Sequence, residues 1–584
     1  MNLCGLNFWR GVRRAVVVAG TLSAIFLAAE GRARAANATQ DQVSRDFQKT
    51  VTLGAGQSVH VEHKFGEVRL HGESGREVKI SATIRAQASS REEAESFAQK
   101  IQIDVQQSAE GVRIKTIYPE EEKRWFHTSK SSSWSVSYDI GMPSDAPLTV
   151  RNSFGGVDAA GIHAAVDIDN SHGSLAVRDI GAARLNNAFG SVEVNGATGN
   201  LSVTDTNGSV QVYEVKGAVE VRNRFGSITT KNIQGAVTIT GGNGTVTLAD
   251  AASASITTSF GSVDARNVRG DLSVHDNNGN VEVSTIGGAA DITNSFGNVT
   301  FSDVHGRVNC RTNNGRVKGS SVTGSSVTIR DSFASIELDT ISGALDAETS
   351  NGKITVRDAR GSVTLRSSFG AIEASNIPKG ISATTGNGAI TLTDIGADAY
   401  AKTSFGSVLI ERVNGNLTVE DSNGSVTARN VKGDASVKTS FSGVTLDSIG
   451  GRISVDNQNG AIGVTATRPA NGCRDISLKT SFSSIRVRIP EGVGYNLSAR
   501  TSFGRISSEL PVTSTGSIGG DTLNGTIGSG GYLRLRVRCM AKAFFRMRVA
   551  VSVNWNFASS SSRANARSVT SLPAWGWPPM HSHR

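Results

Sequence analysis

A phenylalanine recurs every 35 to 37 residues through most of this chain, and no other feature constrains its fold as much. The series is Phe154, Phe189, Phe225, Phe260, Phe296, Phe333, Phe369, Phe405 and Phe441, most of them in Ser-Phe-Gly. Eighteen residues after each comes a second marker, His172 and then Asn207, Asn243, Asn278, Asn314, Asn351, Asn387, Asn423 and Asn459, every one followed by glycine. The unit is therefore an 18-residue coil, and two kinds of coil alternate. Repeats of this length are supersecondary units that stack.

Within a coil the order is corner glycine, alternating strand, short turn, alternating strand, next corner, as in Gly261 to Asn278. Alternation with period 2 buries one face, here Val263, Ala265, Leu272 and Val274. Four such side chains cannot form a core alone, so the coils must stack and their strands must form parallel sheets. The expected fold is all-β: a parallel β-solenoid, or β-helix, whose roughly eighteen coils at ~4.8 Å each make a rod of ~90 Å. Glycine and asparagine suit the corners because both tolerate positive φ. The corner phenylalanines are expected to fill space beside the small corner of an adjacent coil, as a buried ladder. An outward column supports the register: Arg330, Glu348, Arg366, Thr384, Lys402, Glu420, Lys438 and Asp456 are each 18 residues apart, with charges largely alternating in sign. In-register opposite charges stabilise a sheet and penalise a slip by one coil.

Sixty-five glycines, ten prolines and 6% aromatic residues fit short strands and tight turns. The formal charge of +9 resides in the chain ends: nine basic and no acidic residues after Gly531, and five arginines against one glutamate before Asn37. The remainder carries 46 basic and 50 acidic residues, which excludes a polyanion-binding surface and hence nucleic acid as the partner. Residues 1–35 read as a signal peptide, with Arg10, Arg13 and Arg14 before an apolar run from Ala15 to Ala29 and a small-x-small cleavage site at Ala33-Arg34-Ala35. That run is shorter than the ~20 residues a membrane-spanning helix needs, so no transmembrane helix is expected after cleavage. Cys310 and Cys473 lie about nine coils apart, ~43 Å against the ~7 Å limit for a disulfide, and cannot bridge within one straight rod. Cys310 falls on an inward position, two coils after Val274.

Residues 36–150 differ in texture and read as a β-rich cap with one helix at about 90–101. Ser90-Arg-Glu-Glu93 is a capping box, and Ala94, Phe97, Ala98 and Ile101 share one helix face. Phe65-Gly66 resembles an early corner, in which case coiling begins before the helix. The repeats run over residues 151–530, slipping near Arg468-Pro-Ala-Asn-Gly-Cys473, an expected exposed loop. Past Gly531 a basic, tryptophan-rich stretch to 584 neither alternates nor repeats cleanly. Two readings of it stay open, a basic tail without a fold and the product of a shifted reading frame.

The Phe-Gly and Asn-Gly alternation, the preceding module with Ser90-Arg-Glu-Glu-Ala-Glu-Ser-Phe97 and the signal peptide together resemble the bacterial putative-adhesin family of β-solenoid domains of unknown function. The resemblance covers residues 45 to 530. It implies the fold and brings no catalytic residue with it. Such proteins end on an alternating Gly-rich strand, which this chain begins at Gly525-Thr-Ile-Gly-Ser-Gly530 and then abandons.

Some exported β-helices cleave polysaccharides, and such a site needs carboxylates and a basic residue converging on one face of neighbouring coils. The outward column Glu193, Gln211, Thr229, Thr247, Asp264, Glu282, Thr300, Lys318, Glu337, Thr355, Glu373 brings Asp264 and Glu282 within about one coil of each other, ~4.8 Å, close enough to share a cation. The bland alternative for that pair is a solvated face. His60, Glu62 and His63 carry metal-ligand chemistry, but His63 lies on the opposite strand face and no fourth ligand is evident. No nucleophile motif, calcium repeat or phosphate loop is present. These features lead to the expectation of an exported, non-catalytic envelope or surface protein without cofactor, located in the periplasm, on the cell surface or outside the cell. It would act as an adhesin or scaffold binding polysaccharide or envelope components along a repetitive rod, the alternative being a β-helix polysaccharide lyase or hydrolase.

Overall fold

The computed structural model describes residues 41–119, 133–467, 475–490, 492–515, 521–528 and 534–539. The stretch 1–35 read as a signal peptide, the expected loop 468–473 and all of the basic tail except 534–539 lie outside the described residues. Two compact units are formed. Within the smaller, the helix Arg91–Lys100 begins where Ser90 Oγ accepts a hydrogen bond from the Glu93 amide at 3.3 Å, the predicted cap. Ala94 and Ala98 are buried on the expected face, and Phe97 stacks on Trp134 with centroids 4.7 Å apart.

The larger unit is a parallel β-solenoid of about 18 turns. Each coil gives one strand to each of two sheets. Val263, Ala265, Leu272 and Val274 are at most 1% exposed, and their partners one coil later are Val281, Val283, Ala290 and Ile292. Two further inward positions per coil escaped the alternation rule. Asn267 adopts φ 55°, which flips the parity of the strand and turns Val268 into the core at 1% exposure. The same left-handed residue recurs in almost every coil, from Asp179 to Ser448. Asn and Asp hold many of these places because they tolerate that conformation best. The sixth inward residue, Asp276 in this coil, is polar. The corner that opens the coil needs glycine for lack of room: at Gly261, with φ 145°, a Cβ would lie 2.0 Å from the Gly244 carbonyl oxygen.

Every pairing of the column Arg330 to Asp456 occurs in the predicted register. The Lys402–Glu420 ion pair closes at 3.2 Å and Arg330–Glu348 at 3.6 Å, while Arg366 turns instead to Asp346 at 3.0 Å. Cys310 is a free, fully buried core thiol, and burial pushes its pKa up to about 12. Beside this regularity the core shows one exchange of volume. Phe301, Gly319 and Leu338 occupy one inward column, and a Cβ on Gly319 would sit 2.2 Å from the Phe301 ring. Gly319→Val should therefore cost about 1–3 kcal/mol by overpacking. Phe301→Val should cost about 3 kcal/mol by leaving a cavity, and the double variant should recover part of both. Denaturant melts of the four proteins check this, and strictly additive losses would contradict the packing account.

Both ends of the solenoid are built out of sequence order. Strands Ser58–Glu62 and Val68–Glu73 already form a coil with its corner at Phe65-Gly66, as the motif foreshadows. The chain then leaves and returns as Gly111–Ile117 and Ser133–Pro143, which pair with those two strands on the side away from the later coils. Coiling thus starts well before residue 151. At the other end, Arg534–Cys539 enters between Asp475–Thr480 and Tyr495–Thr501, parallel to both. This strand lies beyond the expected boundary at 530 and alternates cleanly: Leu535 and Val537 are at most 1% exposed, while its arginines face out. The first residues of the Gly-rich segment, Gly525 to Ile527, lie in the strand Thr522–Ile527, antiparallel to Tyr495–Thr501.

Candidate functional site

The polar inward column ties many of the corners to their neighbours by hydrogen bonds. In Asn294 the Nδ2 donates to the carbonyl of Gly279, in the coil before, at 2.9 Å, and to that of Gly297, in its own corner, at 3.0 Å. Asn152, Asn170 and Asn187 add a side-chain ladder in which each Nδ2 donates to the Oδ1 of the next residue in the column, ending on Asp205, at 3.0 to 3.2 Å. In later coils threonine and serine take over: Thr385 Oγ1 donates to Gly370 O at 3.0 Å and accepts from the Gly388 amide at 3.2 Å. Such bonds offset the cost of burying polar groups, whereas Thr258, Thr312 and Asp276 in the same column make no side-chain hydrogen bond of this kind. Sequence alternation predicted apolar residues on the inward face, and this column broke the rule visibly, as a polar residue two positions before each Phe or Asn corner except Asn243, where Gly241 stands.

Because residue i is anchored inward at the bend, residue i+2, the corner marker itself, is carried outward. The phenylalanines are consequently not the buried ladder expected from their regularity. Phe154, Phe189 and Phe225 are 40–47% exposed, Phe333, Phe369, Phe405 and Phe441 60–64%, and the series continues to Phe482 at 70% and Phe503 at 83%. The alternation that would have turned them inward ends where the strand ends. Phe and Asn share a single column, with Phe189 in register with Asn207 and Asn207 with Phe225. At the early end the rings touch: Phe65 stacks on Phe154 at 5.4 Å, and His172 lies between Phe154 and Phe189 at 4.7 and 4.8 Å. A ridge of exposed apolar side chains this long exceeds the scatter normal for a soluble surface.

The other candidates resolve into local pairs. Asp264 and Glu282 are in register as predicted, but Arg266 lies across them. Its Nη2 donates to Asp264 Oδ2 at 2.8 Å and lies 3.6 Å from Glu282 Oε1. The cation between the carboxylates is the chain's own guanidinium. The rest of that column, Glu193 through Glu373, runs in unbroken register. His60 bonds Ser58 Oγ at 2.9 Å, while Glu62 faces Arg113 and Lys115. Burial opposes ionisation of Glu62, but hydrogen bonds from both cations outweigh it and hold the carboxyl below its usual range. His63 is buried against Tyr138, with Nδ1 3.0 Å from Thr116 Oγ1, and burial lowers its pKa to about 4. Among the described residues no three His, Cys, Asp or Glu side chains are arranged to hold a metal. A groove of about 790 Å³ follows the outer turns from Asn376 to Thr467, crossed by the Arg412–Asp394 pair at 3.0 Å. Among the described residues no helix is long and apolar enough to cross a membrane.

No known family profile matches the chain, and no curated protein matches it. Among solved structures, a putative cell adhesion protein from Clostridium sporogenes is similar over 38% of this chain and 99% of its own, at 10% identity and a TM-score of 0.19. That likeness is too slight to carry any argument about fold or function.

Proposed function

We propose that this chain is an exported, non-catalytic rod of the cell envelope or surface that acts as an adhesin or scaffold through many equal, weak contacts. The observation that supports this reading is the column of outward phenylalanines, repeated at every second coil from Phe154 to Phe441. A catalytic site concentrates its chemistry in one place and usually breaks its repeat there, whereas a repeated ridge distributes binding along its length. Polysaccharides and envelope surfaces are the partners such a ridge would engage.

The purified chain should sediment with insoluble polysaccharides or cell envelopes and release no soluble sugar. Replacing one corner phenylalanine by serine should weaken retention less than about threefold, and replacing four should reduce it by more than tenfold, as for additive weak contacts. Loss of all retention from a single corner substitution would contradict distributed binding. Sugar release abolished by Asp264→Ala would replace the reading with that of a polysaccharide-cleaving enzyme.

A further inference from the structure

The outward column alternates a large flat side chain with a short one. Asn243 pairs with Phe260, Phe260 with Asn278, Asn278 with Phe296 and Phe296 with Asn314. At one strand spacing per coil, successive phenylalanines stand ~9.6 Å apart with an amide between them. What that interval accepts is seen where an imidazole replaces the amide. His172 lies between Phe154 and Phe189, within 5 Å of each ring centre and within 18° of parallel to both. Two phenylalanines separated by one intervening coil therefore leave room for one aromatic ring. At the asparagine positions no side chain of that size fills the interval.

We propose that two copies of this chain associate side by side through this column, the phenylalanines of each entering the asparagine positions of the other. The inference rests on reading the rod as a multivalent binder, and it names a second copy as the partner. A second copy carries rings at the same interval, so registry gained at one rung is kept at the next. A polymer of any other repeat drifts out of step over ten coils. The area is also sufficient. Eleven corner phenylalanines between Phe154 and Phe503 are 40–83% exposed. At ~200 Å² for each ring, they offer on the order of 1,000 Å² per chain. A standard stable interface takes about 800 Å² from each partner. The matching of one surface with itself gives a two-fold, closed pair rather than an open filament.

Sedimentation velocity on the full purified chain, followed across concentration, tests this. The chain should be a dimer at micromolar concentration. Substituting Phe333, Phe369 and Phe405 by serine should weaken dimerisation about a hundredfold while leaving the far-ultraviolet circular dichroism of the folded chain unchanged, since these rings are mostly outside the core. The deciding variants are Asn351→His and Asn387→His together, which fill two intervals from within as His172 does. They add aromatic surface, so nonspecific adhesion would strengthen association, while interdigitation requires it to weaken by about tenfold or more. A monomer at every concentration up to about 100 μM, or histidine variants that associate as tightly as the parent, overturns the proposal. A monomer that still sediments with polysaccharide through its phenylalanines also overturns it, and leaves the broader binding function intact. A dimer disrupted by both sets of variants supports it even where no polysaccharide is retained.

Discussion

Deleting residues 531–584 should strip hydrogen-exchange protection from Asp475–Thr480 and Tyr495–Thr501, while deleting only 540–584 should leave that protection in place. The difference between the two truncations is the strand Arg534–Cys539, which supplies the parallel partner of both segments. Its Leu535 and Val537 side chains are buried, at about 1.5–3 kcal/mol each, and its loss also frees two rows of backbone hydrogen-bonding groups. Solenoid stability is a sum over neighbouring coils, so the damage should stay near this end and leave the coils around Phe260 protected as before. Limited proteolysis offers a second readout, with new cleavage between 475 and 501 only in the longer deletion. Equal protection in both truncations would show that the strand does not close the solenoid. The same experiment bears on whether the reading frame past 530 encodes part of the fold.

Asp276→Asn should stabilise the protein at pH 8 and lose most of that advantage by pH 4.5, and Asp205→Asn should behave alike. Burial raises the pKa of both carboxyls to about 6 from the ordinary 3.8, although nearby backbone amides pull the other way. The folded state therefore binds the proton more tightly than the unfolded chain does. The stability tied to that proton is fully present below about pH 4 and is lost as the pH rises through about 6. Asparagine carries no such penalty, and the neighbouring coils show how it fits: Asn223 and Asn294 occupy the same column and donate to two corner carbonyls each. The expected gain at pH 8 is about 1 kcal/mol per residue, discounted from the ~3 kcal/mol of the full shift because solvent near the corner screens the charge. Melting curves of parent and variants at both pH values check it. An advantage independent of pH would point to packing instead of ionisation.

The architecture was legible because a solenoid writes its geometry into its period. An interval of 18 residues with two alternating stretches predicts two parallel sheets, and the structure places Val263, Ala265, Leu272 and Val274 inside as read. The outward columns followed from the same arithmetic, since fixed coil length puts residues 18 apart in contact. The corner markers were found too, but their direction was misjudged. Parity counts side chains along a straight strand, and it fails where the backbone bends, at Asn267 and at every Phe corner. Asp264 and Glu282 were correctly brought together, yet Arg266, on the same strand two residues on, decides what lies between them.

By itself, then, the sequence determined the coil length, the stacking, the register and the identity of the repeated corner residues, all of which depend on spacing along one chain. Only the tertiary structure decided which way the phenylalanines face, that a buried polar column bonds many of the corners, and that Arg534–Cys539 closes the far end between two earlier strands. Those outcomes depend on how a coil meets its neighbours and on pairings between segments far apart in the chain, where local alternation carries no information.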